Sequence, residues 1–127
     1  MFSILVVEDH PIVREPLARL LRLEGYRTFC AANGNEAIAT LERGPVDLIL
    51  LDLMMPKKDG PALLELVRQD PRWTNLPVIV LTGIVEGSVL DRARVLSGNE
   101  VFFKARFNME ELFLHIRDRL MPREDGS

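Results

Sequence analysis

The sequence predicts an α/β domain in which five strands form one parallel sheet and helices cover both faces. Short aliphatic runs alternate with helix-like segments along the chain, and the runs Ile4–Val7 and Leu48–Leu51 are uninterrupted. Such runs are typical of strands that are buried on both faces of a parallel sheet. Right-handed crossovers between the strands then place helices on both sides of that sheet. A length of 127 residues fits one domain of this kind.

The first half of the chain supplies three strands and two helices. Pro11 suits the first turn of a helix, Gly25 suits the end of that helix, and Pro16 inside it predicts a kink. Asn33 is a good cap for the second helix. The apolar face expected for the first helix comprises Ile12, Leu17, Leu20, Leu21 and Leu23. The predicted spans are strands near 3–8, 27–31 and 46–51 and helices near 11–23 and 33–41.

The second half of the chain supplies two further strands and three helices. Gly98 is expected to end the fourth helix, and Asn108 to begin the fifth. The predicted spans are strands near 77–81 and 100–104 and helices near 61–69, 87–96 and 108–120. We therefore expect a domain over residues 1–121, with 122–127 as a C-terminal tail or the start of a linker.

Composition and charge exclude several classes of function. The net charge of −3 argues against a surface that binds nucleic acid, which is normally basic. No uninterrupted apolar stretch approaches the roughly 18 to 20 residues that cross a membrane. The single cysteine, Cys30, cannot form an internal disulfide, which fits the reducing cytoplasm. We expect a cytoplasmic domain without direct nucleic-acid or membrane contacts.

Three carboxylates lie where predicted strands end. Glu8 and Asp9 follow the first strand, and Asp52 follows the third. Ligands of open α/β sheets bind outside the carboxyl ends of the strands, so these acids can meet in one pocket. A single acid there is more simply explained as a solvated side chain at the end of a strand, but three acids together need a counter-ion. Mg²⁺ is the natural one, because it takes carboxylate oxygens, water and phosphate.

The ends of the remaining strands add groups that suit phosphoryl transfer. Asp52 can act as a nucleophile toward an activated phosphoryl group and form an aspartyl phosphate. The backbone carbonyl of Met54 can supply another oxygen to the metal, while Thr82 offers a hydroxyl and Lys104 an ammonium to phosphate oxygens. Alone, Thr82 is an ordinary β-branched residue at a strand end and Lys104 a surface lysine. Their order along successive strands favours the functional interpretation.

The segments Ile4–Pro11, Asp47–Gly60 and Leu76–Gly83 together resemble the receiver (CheY-like) domain of two-component response regulators. The middle segment is the most specific, because its aspartate, Met-Pro pair and Asp-Gly turn follow the spacing of that family. The resemblance covers residues 1 to about 121 and implies the flavodoxin-like (βα)5 topology, a doubly wound sheet.

The resemblance also implies roles for individual residues. Asp52 would be the phosphoacceptor, Asp9 a direct Mg²⁺ ligand, Glu8 a ligand through water, Met54 a ligand through its carbonyl and Thr82 the switch hydroxyl. Mn²⁺ is expected to substitute for Mg²⁺, since all the ligands are oxygens. The phosphoryl group would come from a sensor histidine kinase or a histidine phosphotransfer protein. Phosphorylation would reorganise the face built from the fourth helix, fifth strand and fifth helix, where a second receiver or a downstream target protein binds.

The fifth strand departs from the family pattern, which has a lysine followed by proline. Here Lys104 stands one position early and is followed by Ala105. Without a gap, Phe102 takes the place of the switch aromatic and Ala105 that of the lysine. With a deletion before the strand, Lys104 is the family's lysine and Val101 replaces the aromatic. A slip by one residue reverses the face of every side chain, so a regular strand allows only one of these registers, unless a bulge near Phe103 reconciles them. We favour Lys104 in the pocket, because clustered acids attract a cation.

Three other functions are compatible with a similar sheet. A phosphorylation-independent pseudo-receiver, a pure binding module, is favoured by the unusual fifth strand but disfavoured by the intact acids. An aspartate-nucleophile phosphatase usually carries a second aspartate two residues after the nucleophile, where this chain has Met54. A nucleotide-binding domain needs a glycine-rich loop after the first strand, where this chain has Glu8–Pro11.

Overall fold

The computed structural model describes residues 1–55, 59–83, 86–98, 100–106 and 108–121. Strands and helices alternate along these residues, as predicted. The strands are β1 (Ser3–Val7), β2 (Arg27–Ala31), β3 (Leu48–Asp52), β4 (Val78–Thr82) and β5 (Val101–Phe103). The helices are α1 (Pro11–Leu23), α2 (Gly34–Arg43), α3 (Asp59–Gln69), α4 (Ser88–Ser97) and α5 (Met109–Leu120), and a 3-10 turn, Lys104–Arg106, follows β5.

The five strands form one parallel sheet in the order β2-β1-β3-β4-β5. The chain passes from β1 to β2 on one side and then returns to place β3 on the other side of β1. In open α/β sheets a ligand crevice forms at such a reversal, outside the carboxyl ends of the two strands. The predicted parallel, doubly wound sheet is confirmed, and its crevice lies between the ends of β1 and β3.

Alternate residues of the central strands supply two separate cores. One core packs Leu5, Ile49 and Val80 against α2, α3 and α4, while the other packs Val6 and Leu50 against α1 and α5. Every residue of β1, β3 and β4 is buried. The predicted coverage of both faces by helices is therefore confirmed, and it explains the uninterrupted apolar runs.

Helix α1 buries a narrower face than the one predicted. Leu17 and Leu21 are buried, whereas Ile12 is 87% exposed and Leu23 is 77% exposed. Ile12 precedes Leu21 by nine residues, about two and a half turns, and therefore lies on the opposite face of the helix. The helix also continues through Pro16.

Predicted caps and helix stops agree with the structure better than strand bounds do. The Asn33 side chain accepts a hydrogen bond from the Glu36 amide at 2.9 Å, and Asn108 accepts one from the Glu110 amide at 2.8 Å. Gly98 ends α4 in the left-handed conformation, with φ of 67°. The third and fourth strands begin later than predicted and include Asp52 and Thr82 as their last residues.

The predicted domain boundary stays a prediction. Helix α5 ends at Leu120, and the predicted tail, 122–127, lies outside the described residues. Within the described ranges, no helix combines the length and the hydropathy that spanning a bilayer requires.

Candidate functional site

Three carboxylates meet at the crevice between β1 and β3. Val7 and Leu51 are paired in the sheet, so the residues that follow them, Glu8 and Asp52, leave the two strands side by side. Ligand atoms of Glu8, Asp9 and Asp52 all lie within 4.8 Å of one another. Glu8 is 2% exposed and Asp52 3% exposed, so two of the three acids are shielded from bulk water.

The backbone that carries Glu8 and Asp9 is held on two sides. The Glu8 amide donates to the carbonyl of Ala31 in β2 at 3.0 Å. The Arg14 guanidinium donates to the carbonyls of Glu8 and Asp9, at 2.8 and 3.3 Å. Arg14 was not among the residues predicted from the sequence, although an arginine in the first turns of a helix that follows two acids is a usable signal.

Asp52 has a different partner on each oxygen. The Met54 amide donates to Oδ1 at 3.0 Å. The Lys104 ammonium lies 3.2 Å from Oδ2 of Asp52 and 3.7 Å from Oε1 of Glu8. The structure thus brings Lys104 from the far edge of the sheet into contact with the acids.

The pairing of β5 explains how Lys104 reaches the acids. Thr82 pairs with Phe103, so Lys104 is the first residue beyond the strand and lies in the 3-10 turn. This is the placement expected from a deletion before the strand, and the register that turns Lys104 away from the acids is not adopted. Phe102 then packs edge-to-face on His115 of α5, with ring centroids 5.2 Å apart. The switch role expected of Phe102 stays a prediction, made for a side chain that contacts α5.

The remaining predicted residues lie at the same edge of the sheet. Thr82 ends β4, the neighbour of β3, and is fully buried. The Met54 side chain is 53% exposed, while its amide is bonded to Asp52. Of the family-like motif, Pro56–Lys58 lies outside the described residues.

Comparison with known proteins identifies this arrangement. Residues 4–126 match the family described as the response regulator receiver domain. The chain belongs to this family. Receiver domains are signalling phosphoacceptors of two-component systems, and this one retains the phosphorylatable aspartate pocket as an acidic cluster.

Curated relatives of this receiver domain are transcriptional regulators. The transcriptional regulatory protein TcrA of Mycobacterium tuberculosis is 38% identical over 115 residues, which cover 90% of this chain and 44% of TcrA. The transcriptional regulatory protein CpxR of Klebsiella pneumoniae is 41% identical over 118 residues, which cover 92% of this chain and 48% of CpxR. The chain spans about half the length of the curated relatives it matches.

Solved structures of other receiver domains have the same fold. The signal receiver domain of a histidine kinase from Syntrophus aciditrophicus superposes with a TM-score of 0.86 at 30% identity, covering 100% of this chain and 96% of that one. The response regulator TrrA from Thermotoga maritima, in complex with Mg²⁺-BeF, gives a TM-score of 0.77 at 31% identity, covering 94% of this chain and 100% of that one.

The two buried acids of the receiver pocket differ in how readily they hold a proton. Burial raises the pKa of Glu8 from 4.5 to about 8, and the neighbouring Asp52 carboxylate adds to the increase. Burial acts in the same direction on Asp52, but the neighbouring Glu8 carboxyl, the Met54 amide and the Lys104 ammonium together hold the pKa of Asp52 below its ordinary value. At neutral pH the protein groups alone therefore favour an ionised Asp52 beside a protonated Glu8.

The pocket fits the Mg²⁺ that the family implies. Both carboxyl oxygens of Glu8 and Oδ1 of Asp9 are buried, and among the described residues they have no hydrogen-bond partner. Burying carboxylate oxygens without partners is costly, and a hard cation with oxygen ligands relieves that cost. These residues provide suitable donors for such an ion.

Gly60 controls how closely α3 approaches the site. A Cβ atom at this position would lie 2.6 Å from the carbonyl oxygen of Leu53 and 2.8 Å from that of Asp52. Only glycine allows the first turn of α3 to pack on the backbone that carries Asp52. The Asp-Gly turn of the family pattern is evident in the sequence, but the reason for its glycine is not, because this contact is visible only in the fold.

Proposed function

We propose that Asp52 is the phosphoacceptor of this receiver domain, and that it takes its phosphoryl group from a sensor histidine kinase or a histidine phosphotransfer protein. The observation that carries the proposal is the position of the Asp52 carboxylate between the Met54 amide and the Lys104 ammonium, beside two further acids. Its lowered pKa keeps it ionised, as a nucleophile must be.

The proposed transfer moves one phosphoryl group between two side chains. An Asp52 oxygen forms the new bond to phosphorus while the bond from phosphorus to the donor histidine nitrogen breaks, and the electron pair stays on that nitrogen. Lys104 would contact an oxygen of the arriving group, and Thr82 would donate its hydroxyl to another. The domain would in this way promote its own phosphorylation, and it would also promote hydrolysis of the aspartyl phosphate.

We propose Mg²⁺ as the cofactor, with Mn²⁺ as a substitute. Asp9 would bind the ion directly, Glu8 through water, and Asp52 and the Met54 carbonyl would complete the protein's share of ligands. The ion, when bound, neutralises the charge on the phosphoryl oxygens. The unpartnered oxygens of Glu8 and Asp9 support this assignment.

The proposed output surface is the α4–β5–α5 face. Phe102 packs on His115 of α5, and the Arg94 guanidinium of α4 lies 5.4 Å from the centre of the Phe103 ring. Lys104 follows these two residues directly. If its ammonium moved toward a phosphoryl group, Phe102 and Phe103 would shift with it, and their contacts with α5 and α4 would change. Thr82 is a proposed switch residue, and Phe102 is proposed as another because it contacts α5, although Val101 takes the family's aromatic position in this register. A second receiver or a downstream target protein is the proposed partner.

The proposed setting is the cytoplasm, without direct contact of this domain with nucleic acid or membrane. The single cysteine and the net charge of −3 support that setting. The relatives' names as transcriptional regulators concern proteins about twice as long, so DNA binding would be a property of such a longer protein.

The experiment that tests the proposal is intact-mass measurement after incubation with Mg²⁺ and acetyl phosphate or phosphoramidate. We expect the wild-type chain to gain one phosphoryl group and Asp52→Asn to gain none. Asp91→Asn, which removes an exposed carboxylate from α4, is the matched control and is expected to behave as wild type. An unchanged mass of the wild-type chain would favour a pseudo-receiver.

A further inference from the structure

A basic side chain bonds the backbone of the bend between β1 and α1. Arg14, in the second turn of α1, turns back so that one guanidinium nitrogen donates to the carbonyls of Glu8 and Asp9, at 2.8 and 3.3 Å. Its side chain is only 16% exposed, whereas that of its ion-pair neighbour Glu15 is 61% exposed. The buried end of Arg14 therefore serves the bend, and Glu15 is a peripheral contact.

Other ties across this bend are few in the described structure. The His10 side chain makes no capping hydrogen bond at the start of α1, and the first turn contains no acidic residue. The Glu8 amide is bonded to Ala31, and the His10 carbonyl accepts from the amides of Val13 and Arg14. Between these two anchors, Arg14 is the side chain that bonds the peptide groups of the two acidic residues.

We propose that Arg14 is a positioning residue for the divalent cation, because its guanidinium fixes the backbone from which the Glu8 and Asp9 carboxylates project. This inference rests on the proposed function of the site. Carboxylates with ligand atoms within 4.8 Å of one another repel when ionised, so a backbone that is free to move would let them separate. Holding the bend in advance removes that cost from cation binding.

The chemistry of arginine suits this task better than that of lysine. A guanidinium presents several donors in a rigid plane, and hydrogen bonds from a charged donor are stronger than neutral ones. Here one nitrogen of the plane bonds both carbonyls, and the plane fixes the directions of its N–H bonds. An ammonium is a point charge on a flexible stem, and its donors have no such fixed direction. The variant Arg14→Lys therefore keeps the charge and removes the fixed direction, which separates positioning from simple electrostatic attraction.

The test is a titration with Mn²⁺, followed by the electron paramagnetic resonance signal of the free ion. We expect Arg14→Gln to weaken Mn²⁺ binding about tenfold or more, the loss typical for groups that orient metal ligands. Arg14→Lys is expected to weaken Mn²⁺ binding less than Arg14→Gln does, but by about threefold or more. Arg19→Gln removes an exposed arginine from the same helix and is expected to bind as wild type.

The outcomes separate this inference from the proposed function. Absence of Mn²⁺ binding to the wild-type chain would overturn the metal site itself and the inference with it. Two outcomes would overturn the inference and leave the metal site standing. One is an equal Mn²⁺ affinity of wild type and Arg14→Gln. The other is a lower melting temperature of Arg14→Gln without a change in its Mn²⁺ affinity.

A wild-type measurement decides the matter if the variants do not fold. The Nη–H groups of Arg14 are expected to exchange slowly with solvent in NMR spectra both before and after Mg²⁺ saturates the site, because one Nη atom bonds both carbonyls in advance. Fast exchange without Mg²⁺, with protection only at saturation, would overturn the inference.

Discussion

Two carboxylates that leave neighbouring strands side by side have opposite protonation tendencies in this pocket. The pKa of Glu8 is raised to about 8 by burial first and by Asp52 second, while Asp52 is kept ionised by the groups that donate to it. Sequence position alone could not separate them, because both acids end buried strands. The difference arises because only Asp52 accepts from the Met54 amide, and because Lys104 lies closer to Asp52, at 3.2 Å, than to Glu8, at 3.7 Å.

The contact between Lys104 and Asp52 gives a prediction at the residue scale. Lys104→Met is expected to slow phosphorylation by phosphoramidate severalfold or more, because a charge-assisted bond to phosphate contributes about 1.5–3 kcal/mol. Arg106→Met removes an exposed cation two residues away and serves as the control. A labelling rate for Lys104→Met equal to that of the control would mean that the ammonium does not assist the transfer.

The lifetime of the aspartyl phosphate depends on what can orient an attacking water. Met54, two residues beyond Asp52, has a half-exposed apolar side chain that cannot hold a water by hydrogen bonds. We expect a long-lived phosphorylated form, and a shorter lifetime in Met54→Asn or Met54→Glu, measured by the decay of the phosphorylated mass. Ile84, two residues beyond Thr82, is also apolar and unable to orient a water, and it lies outside the described residues. A lifetime that is unchanged or longer in both variants would remove this explanation.

At the scale of elements, the sequence predicted the ends of helices better than it predicted how helices and strands pack on one another. The Asn33 and Asn108 caps and the Gly98 stop were predicted because each acts within a few residues of its own position. The buried face of α1 is narrower than predicted, because helical spacing and hydrophobicity do not show which side of the helix lies on the sheet. The apolar pattern of β5 allows both registers, and only the charge of the acids favoured the one that brings Lys104 to the pocket, where the structure places it.

The packing of α3 on the end of β3 gives a prediction at this scale. Gly60→Ala is expected to destabilise the domain by about 1–3 kcal/mol, because the new methyl group meets backbone atoms that cannot rotate away. Phosphorylation of Asp52 should slow as well, since the displaced backbone carries that residue. Gly44→Ala is the control, because a Cβ atom there meets nothing within 4 Å. Chemical denaturation of both variants measures the effect, and equal stabilities would contradict it.

For the whole molecule, the alternation of strands and helices predicted the parallel sheet and its two helical layers. The acids, the hydroxyl and the lysine were predicted to converge because parallel strands end at one edge. What the sequence could not supply is the exact course of the backbone. The donation from Arg14 to the β1–α1 bend and the close packing at Gly60 join residues only five to eight positions apart, but both depend on how the backbone turns between them.

The free energy of unfolding of the whole domain should depend on whether Glu8 is protonated. Because the folded pKa of about 8 lies above the ordinary 4.5, the stability gained from this group is complete below about pH 4.5 and is lost as the pH rises through 8. In metal-free buffer, raising the pH from 5 to 8.5 should lower the free energy of unfolding of wild type more than that of Glu8→Gln. The difference should be at least about 1.4 kcal/mol, which is the free energy that corresponds to one pKa unit.

Addition of Mg²⁺ should reverse that loss, because the ion replaces the proton. The increase in melting temperature caused by Mg²⁺ is therefore expected to be larger at pH 8.5 than at pH 5.5. Other titrating groups are common to both proteins and cancel in the comparison with Glu8→Gln. A constant difference in stability between the two proteins across this range would show that Glu8 does not hold a proton.

The short edge strand β5 determines where insertions and deletions can occur near the end of the sheet. Three residues pair with β4, and the lysine follows them immediately. A residue lost or gained between Gly98 and Val101 leaves the spacing from Phe103 to Lys104 intact, as the departure from the family pattern illustrates. A residue inserted between Phe103 and Lys104 would instead carry the ammonium away from Asp52. Insertions and deletions should therefore be tolerated on one side of this strand and eliminated on the other.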